Sequence, residues 1–313
     1  MNRQHISASH DQTFSWFLAA ARQGNPYAQF NLGMLYKNGS GVARDDAAAV
    51  AWLRCAAEQG LAFAQNHLGA MLYAGRGVAR DDVLAAHWLR RAAEQGDASA
   101  QQNLGLLLGQ GRGVAHDPEA ALGWFYRAAE QGVASAQTLL AECYLYGRGV
   151  DVNYPLAAAW LRKAAGQGDM AAQFNLGLMH AIGQGVAADP ARAARWYALA
   201  AGQGDASAQN NLGVLYANGD GLPRDDELAV HWYHAAAEQG HVLAQYNLSG
   251  MVLCGRGQAP DAVRAHMWML LAASGGDAAA CTEVAAAQRR LSPGQLDSAA
   301  QLVGAWQRAH RQS

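Results

Sequence analysis

Two histidines three residues apart, His231 and His234, are the one pair whose spacing would set two metal ligands on a single helical turn. A zinc site needs about four ligands, and neither a cysteine and carboxylate set nor a His-Glu-x-x-His motif completes one here. They read as a surface or groove pair, and no metal or cofactor is expected. Gly-x-Gly-Val runs could suggest phosphate binding. They follow helical patterns rather than strands, recur along the chain and lack a downstream Gly-Lys-Ser/Thr, so they read as helix terminators. No Ser, Cys or carboxylate falls in a recognisable catalytic motif. Metal and phosphate chemistry are therefore set aside, and a non-catalytic protein is expected.

Asparagines offer a different chemistry. Asn31, Asn103, Asn175, Asn211 and Asn247 are separated by 36 residues or its double, with His67 and Leu139 at the two intervening steps. An amide donates and accepts at once, so a row of them can pair with an extended backbone whatever its side chains. Tyr27, Phe30, Phe63, Tyr73, Tyr146, Phe174 and Tyr246 surround this row, with Glu142 and Lys37 as the nearby charges. An aromatic and amide groove suits a protein or peptide partner. The same asparagines could instead bond to neighbouring helices while the aromatics fill gaps between repeats. Tyr27, Phe30, Asn31, Tyr73, Asn103, Phe174, Asn175, Asn211, Tyr246 and Asn247 form the expected partner-binding set.

What positions these residues is a ruler of 36 residues, kept by Trp16, Trp52, Trp88, Trp124, Trp160, Trp196, Trp232 and Trp268. A fixed period of this length marks a solenoid of stacked units. Seven units follow without insertion over 25–276. In every unit position 5 is Gln, position 8 is Leu, positions 15 and 17 are Gly, position 28 is Trp and positions 32 and 33 are Ala. Positions 4, 8, 11 and 12 share one helix face, and positions 25, 28, 29, 32 and 33 share another. Helix A is thus expected at about positions 2–14 and helix B at about 22–34.

Asp or Asn153 at position 21 should cap helix B, and Asp97, Asp169, Asp205 and Asp277 should cap a helix A. Gly at position 9, Ala141 and Ser249 excepted, implies close helix contact. The tryptophans are expected in the core; Trp124, for example, shares a face with Ala121, Ala128 and Ala129. Residues 13–24 read as a capping half-repeat, 277–313 as a capping helix pair and 1–12 as a disordered tail. Ser292, Pro293 and Gln295 mark the start of the last helix, which should run to about His310.

Charge and composition exclude other classes. A net charge of −2 and a pI of about 6.6 give no basic footprint for nucleic acid. Arg54, Arg90, Arg91, Arg127, Arg162 and Lys163, near Glu58, Glu94 and Glu130, read as a solvated, partly paired outer face. No segment reaches the ~20 apolar residues of a membrane span. The N-terminus lacks a leader-like apolar run and starts with Met, so a cytoplasmic protein is expected. Cys55, Cys143, Cys254 and Cys281 occupy different repeat phases, as reduced thiols would.

The pattern AQxNLGxLYxxGxGVxxDxxxAxxWxxxAAxQG, over residues 13–276, resembles the Sel-one-like repeat family, relatives of the tetratricopeptide repeats. The C-terminal RRLSPGQLDSAAQLVGAW is similar to the tail of bacterial members. The resemblance implies an all-α fold, a right-handed superhelical α-solenoid of antiparallel helix pairs. It also implies non-catalytic adaptor or scaffold work, with a partner held in a concave groove lined by helix A. Some bacterial members resemble immunity partners of secreted toxins, which leaves an antitoxin-like role as an alternative. An enzyme with an unrecognised site is the second alternative.

Overall fold

The computed structural model describes residues 13–310, so the expected disordered tail 1–12 lies outside the described residues. Every regular element among the described residues is an α-helix. The first, α1, spans residues 13–22. Seven A helices follow: α2 (Pro26–Asn38), α4 (Ala62–Ala74), α6 (Ala98–Gln110), α8 (Ala134–Tyr146), α10 (Met170–Ile182), α12 (Ala206–Asn218) and α14 (Val242–Cys254). Their B partners are α3 (Asp46–Glu58), α5 (Asp82–Glu94), α7 (Pro118–Glu130), α9 (Tyr154–Gly166), α11 (Pro190–Gly202), α13 (Asp226–Glu238) and α15 (Ala262–Ser274). The chain ends with α16 (Ala278–Gln288) and α17 (Pro293–His310). These are the bounds that the repeat positions predict for helices A and B.

The caps explain that agreement. Asp45 accepts the Ala48 N–H at 2.9 Å, Asp81 that of Leu84 at 2.9 Å, and Asn153 that of Leu156 at 3.0 Å. Each meets one of the donors that a helix start leaves without an internal partner. Asp97, Asp169, Asp205 and Asp277 cap their A helices in the same way. The last helix opens on a reciprocal capping box. The Gln295 side chain accepts the Ser292 N–H at 2.9 Å, and Ser292 Oγ accepts the Gln295 N–H at 3.4 Å.

The chain divides into two compact units, Met1–Lys163 and Ala164–Ser313. Each is a stack of helix pairs over small buried side chains. In the first, Ala49, Ala56, Ala57, Leu53 and Leu68 are fully buried; in the second, Ala193, Ala200, Ala229 and Ala236 are. The glycine at position 9 forms a notch for the large side chain at position 29 of the same repeat. A Cβ on Gly105 would lie 2.6 Å from Phe125, and one on Gly213 would lie 2.8 Å from Tyr233.

The invariant glutamine at position 5 joins one repeat to the next. Gln65 is wholly buried, and its Nε2 donates to the Ala57 carbonyl, in the helix before it, at 3.0 Å. Its Oε1 accepts from Gln95 Nε2 at 2.7 Å. In the first unit Gln29 and Gln101 donate likewise to Ala21 and Ala93, and accept from Gln59 and Gln131. In the second unit Gln173 and Gln209 donate to Ala165 and Ala201, and accept from Gln203 and Gln239. The carbonyls lie in the last turn of a helix, where the internal ladder runs out.

The tryptophan ladder is less buried than a core ladder should be. Trp88, Trp160 and Trp268 are buried, but Trp52, Trp124, Trp196 and Trp232 are half-buried and Trp16 is 65% exposed. The ring at position 28 leans on the repeat before it. Trp160 meets Tyr126 at 6.0 Å and Trp268 meets His234 at 5.8 Å, both edge-on. Trp16 has no described repeat before it to lean on. Cations cover part of the outer side: Arg127 lies 4.5 Å from the Trp124 ring and Lys163 lies 3.8 Å from the Trp160 ring. The outer cations at position 31 therefore stack on tryptophan.

The loops between A and B helices lock onto the preceding repeat. Asp46 receives Arg44 at 2.8 Å and Arg76, from the next repeat, at 3.2 Å. Hydrogen bonding from Arg44 holds the Asp46 carboxyl down at about 2, with Arg76 adding to it. Asp226 is shared the same way by Arg256 and Arg224. The second glycine of the Gly-x-Gly, at Gly77, Gly113, Gly149, Gly221 and Gly257, sits against the first turn of the preceding helix B. A Cβ on Gly113 would fall inside the Asp82 carbonyl.

This contact gives a direct comparison. Gly113 and Gly96 have φ of +69° and +92°, so an alanine at either costs roughly 1–2 kcal/mol in backbone strain. Nothing lies within 4 Å of a Cβ on Gly96. Gly113→Ala should therefore lower the urea-unfolding free energy by roughly 3 kcal/mol or more, and Gly96→Ala by the strain alone. Equal losses would show that the glycine does not seat the repeat.

Candidate functional site

Helix A turns positions 4, 5, 8 and 9 inward, which leaves positions 3, 7, 10 and 14 along its other side. Large apolar side chains stand in solvent there. Tyr27 is 65%, Phe63 60% and Tyr146 59% exposed in the first unit, and Ile182 60% and Leu243 55% in the second. Exposed large apolar side chains thus recur on this side of α2, α4 and α8 in the first unit and of α10 and α14 in the second, and such exposure marks an interaction surface.

The asparagine row divides in two. Asn103 Nδ2 donates to Asn66 Oδ1 at 3.1 Å, and buried Asn66 donates to the capping carboxylate of Asp97 at 3.2 Å. Asn247 donates to Asn210 at 3.0 Å, and Asn210 donates to Asn211 at 3.2 Å. Asn211 also hydrogen-bonds the Tyr197 hydroxyl, whose pKa burial raises. Asn103 and Asn247 thus tie one A helix to the next, and Asn211 ties α12 to α11. Asn31 and Asn175 are half-buried on the same stripe. The acceptors, Asn66 and Asn210, stand at position 6, one residue off the asparagine row. Their offset of 37 residues from Asn103 and Asn247 carried the signal, because it joins neighbouring turns of successive repeats.

The expected aromatics line the same face with different degrees of freedom. Phe30 stacks on His67 with centroids 5.6 Å apart and meets Phe63 at 6.4 Å. Tyr73 lies under Arg112 at 4.5 Å, and its hydroxyl accepts from that guanidinium. Phe174 packs on Tyr197 at 5.9 Å. Tyr246 donates to Glu283 at 3.0 Å. Phe30, Tyr73 and Tyr246 therefore reach into the next repeat while half-buried, Phe174 packs half-buried within its own repeat, and Tyr27 projects outward.

A cavity of about 440 Å³ opens on this face in the first unit, lined by Gly105, Gly109, Phe125, Leu139, Glu142 and Arg148 among others. Position 13 explains it: Gly109 stands where the preceding repeat places Tyr73. Glu142 faces Arg148 across 4.0 Å. The nearby Cys143 thiol is pushed up to about 11 by burial, and Cys55, Cys254 and Cys281 are exposed and unpaired.

His231 meets Trp232 edge-on at 5.0 Å, and His234 lies 3.7 Å from Glu238. Among the described residues, no helix is long and apolar enough to cross a membrane.

The Sel1 repeat profile matches residues 3–25, 26–61, 62–97, 98–133, 134–169, 171–205, 206–241 and 242–277. Among solved structures, the chain is similar to a protective antigen of uropathogenic Escherichia coli that displays an SLR fold. The TM-score is 0.82 and the identity 37%, over 94% of this chain and 62% of that one. This chain thus spans less than two thirds of that protein. It is similar as well to a Sel1 repeat protein from Oxalobacter formigenes, with TM-score 0.72 and 36% identity over 87% of this chain and 79% of that one. An immunity protein from Pseudomonas aeruginosa gives TM-score 0.42 and 23% identity over 68% of this chain and 81% of that one, too remote to bear on partners. No curated protein matches the chain.

His67, at an asparagine step of the row, yields a pH test. Lys37 Nζ donates to its Nδ1 at 3.3 Å, and burial, with the Lys37 charge, lowers its pKa to about 4. The folded state thus favours the neutral ring. Its contribution is complete above the unfolded value near 6.5 and is lost as pH falls toward 4. His67→Asn, which restores the repeat's own residue, should flatten the fall in melting temperature over that window. Parallel curves for the two proteins would contradict the assignment.

Proposed function

This chain belongs to the Sel1 repeat family, and from that premise we propose that it is a non-catalytic scaffold holding a protein or peptide partner on its helix-A face. The observation that supports this reading most is the exposure of Tyr27 on α2, Phe63 on α4 and Tyr146 on α8, along one side of the A helices of the first unit. Leaving such rings in water forgoes roughly 1.5–3 kcal/mol each of burial, which a partner would recover. Helix B and the loops are occupied by stacking, so the A face is where specificity can vary without loosening the joints.

Within the expected set the roles differ. Tyr27 would anchor the partner by apolar contact. Phe30, Tyr73 and Tyr246 would present one face to it while holding neighbouring repeats, and Phe174 would do so while packed on Tyr197 of its own repeat. Asn31 and Asn175 would bond its backbone, and Asn103, Asn211 and Asn247 would do so only with lone pairs or protons that their struts leave over. The partner is a protein rather than a nucleic acid, since the chain carries 23 basic against 25 acidic residues. A cytoplasmic setting belongs to the same reading, supported by four free thiols in unrelated repeat phases.

A peptide library selected on the immobilised full-length protein tests this. Selected peptides should bind wild type and lose about tenfold or more in affinity to Phe63→Ala/Tyr146→Ala, with the melting temperature unchanged. Peptides indifferent to that variant would place binding elsewhere and contradict the reading.

A further inference from the structure

Among the described residues, the buried side-chain polar atoms without a hydrogen-bond partner are Ser249 Oγ and His266 Nδ1. Buried polar atoms are ordinarily satisfied, and each exception needs a reason. Both residues line the same cavity of about 240 Å³, between α14, α15 and α16 in the second unit. Ser249 is 0% and His266 3% exposed. Both also break the repeat's own rule. Position 9 is Gly in five repeats and Ala141 in another, and position 26 is Val50, Ala86, Leu122, Ala158, Ala194 or Val230 elsewhere. Only the last repeat brings two polar groups to this gap, and α16 supplies its remaining wall.

The rest of the lining is mostly apolar, with Leu253, Met269, Ala286 and Leu291 among it. Glu283 and Arg290, exposed and opposite in charge, stand on the α16 side. Glu283 already accepts the Tyr246 hydroxyl. Leu253, Glu283 and Arg290 place the mouth on the helix-A side. A cavity of roughly 150 Å³ is enough to hold benzene, so this one has room for a substituted ring.

We propose that this cavity is a binding pocket for one neutral, ring-sized group bearing a hydroxyl, the side chain of a tyrosine in the bound partner. The assignment of the source rests on the helix-A reading above; the chemistry of the pocket does not. A phenol hydroxyl donates and accepts, and so can satisfy a serine hydroxyl and an imidazole nitrogen together once the Ser249 and His266 side chains turn to face it. A charged group would be left without a buried counter-charge, at a heavy desolvation cost. Burial also lowers the His266 pKa, so the ring is neutral at pH 7.

The probe is p-cresol, the tyrosine side chain alone, titrated into the full-length protein at pH 7 and followed by the amide NMR shifts of Leu253, Met269 and Ala287. Toluene, which keeps the ring and methyl group but lacks the hydroxyl, is the comparison. The variant Ser249→Gly/His266→Val puts the repeat's own residues back, and its circular dichroism and melting curve check that it folds. Wild type should bind p-cresol saturably and prefer it over toluene by about threefold to tenfold. In the variant that preference should fall to about one. No saturable p-cresol shift in wild type, equal binding of the two probes, or an undiminished preference in the variant would overturn the proposal. Because no peptide is used, the pocket can fail while the helix-A face stands, and the reverse.

Discussion

One buried amide sets the joint between repeats. A helix end leaves carbonyls that its own ladder does not reach, and in a stack with short connections those carbonyls are covered by the next repeat. Gln65 meets the Ala57 carbonyl from inside the stack, and Gln95 holds the other end of its amide. A shorter amide would not reach, and a leucine of similar size would leave the carbonyl and the Gln95 amide without this partner. The identity of position 5 in all seven repeats follows from that geometry. Around it, alanine at positions 25, 32 and 33 lets the helices approach, and the glycine notch at position 9 accepts the side chain at position 29. The capped helix ends hold the register.

Because these contacts use helix B, the loops and the inner side of helix A, the outer side of helix A is comparatively unconstrained. That is where the repeats differ from one another. Position 3 is Tyr27, Phe63, Ser99, Ser135, Ala171, Ser207 or Leu243, and position 13 ranges from Lys37 through Tyr73 to Gly109. Cavities follow from these choices. Gly109 opens one in the first unit, and Ser249 with His266 makes the second unit's cavity polar. A regular frame with irregular furnishing on one side suits recognition of a particular partner.

Much of this was legible in the sequence. The period, the helix bounds and the caps depend on local chemistry, which residue types and spacing report directly: Asp45, Asp81 and Asp97 act where the pattern places them. Burial of the tryptophans was less legible, since Trp16 and Trp268 share a phase but not a neighbour. The site was only partly legible. A single helix wheel puts Asn66 and Asn103 on one open stripe, whereas in the stack they lie close enough to bond. The contact depends on the offset between adjacent helices, which a reading of one repeat at a time does not contain. The orphaned pair Ser249 and His266 was visible as two departures from the repeat, but their meeting in one cavity required α16.

The joint is tested most directly by a double-mutant cycle on Gln65 and Gln95, with unfolding free energies measured for Gln65→Ala, Gln95→Ala and the pair. If the amides act as one strut on the Ala57 carbonyl, each single change should destabilise, and the pair should fall short of the sum by roughly 0.5–1.5 kcal/mol. Losses that add to within roughly 0.3–0.5 kcal/mol, the scatter of independent sites, would contradict the account of how these repeats are held together.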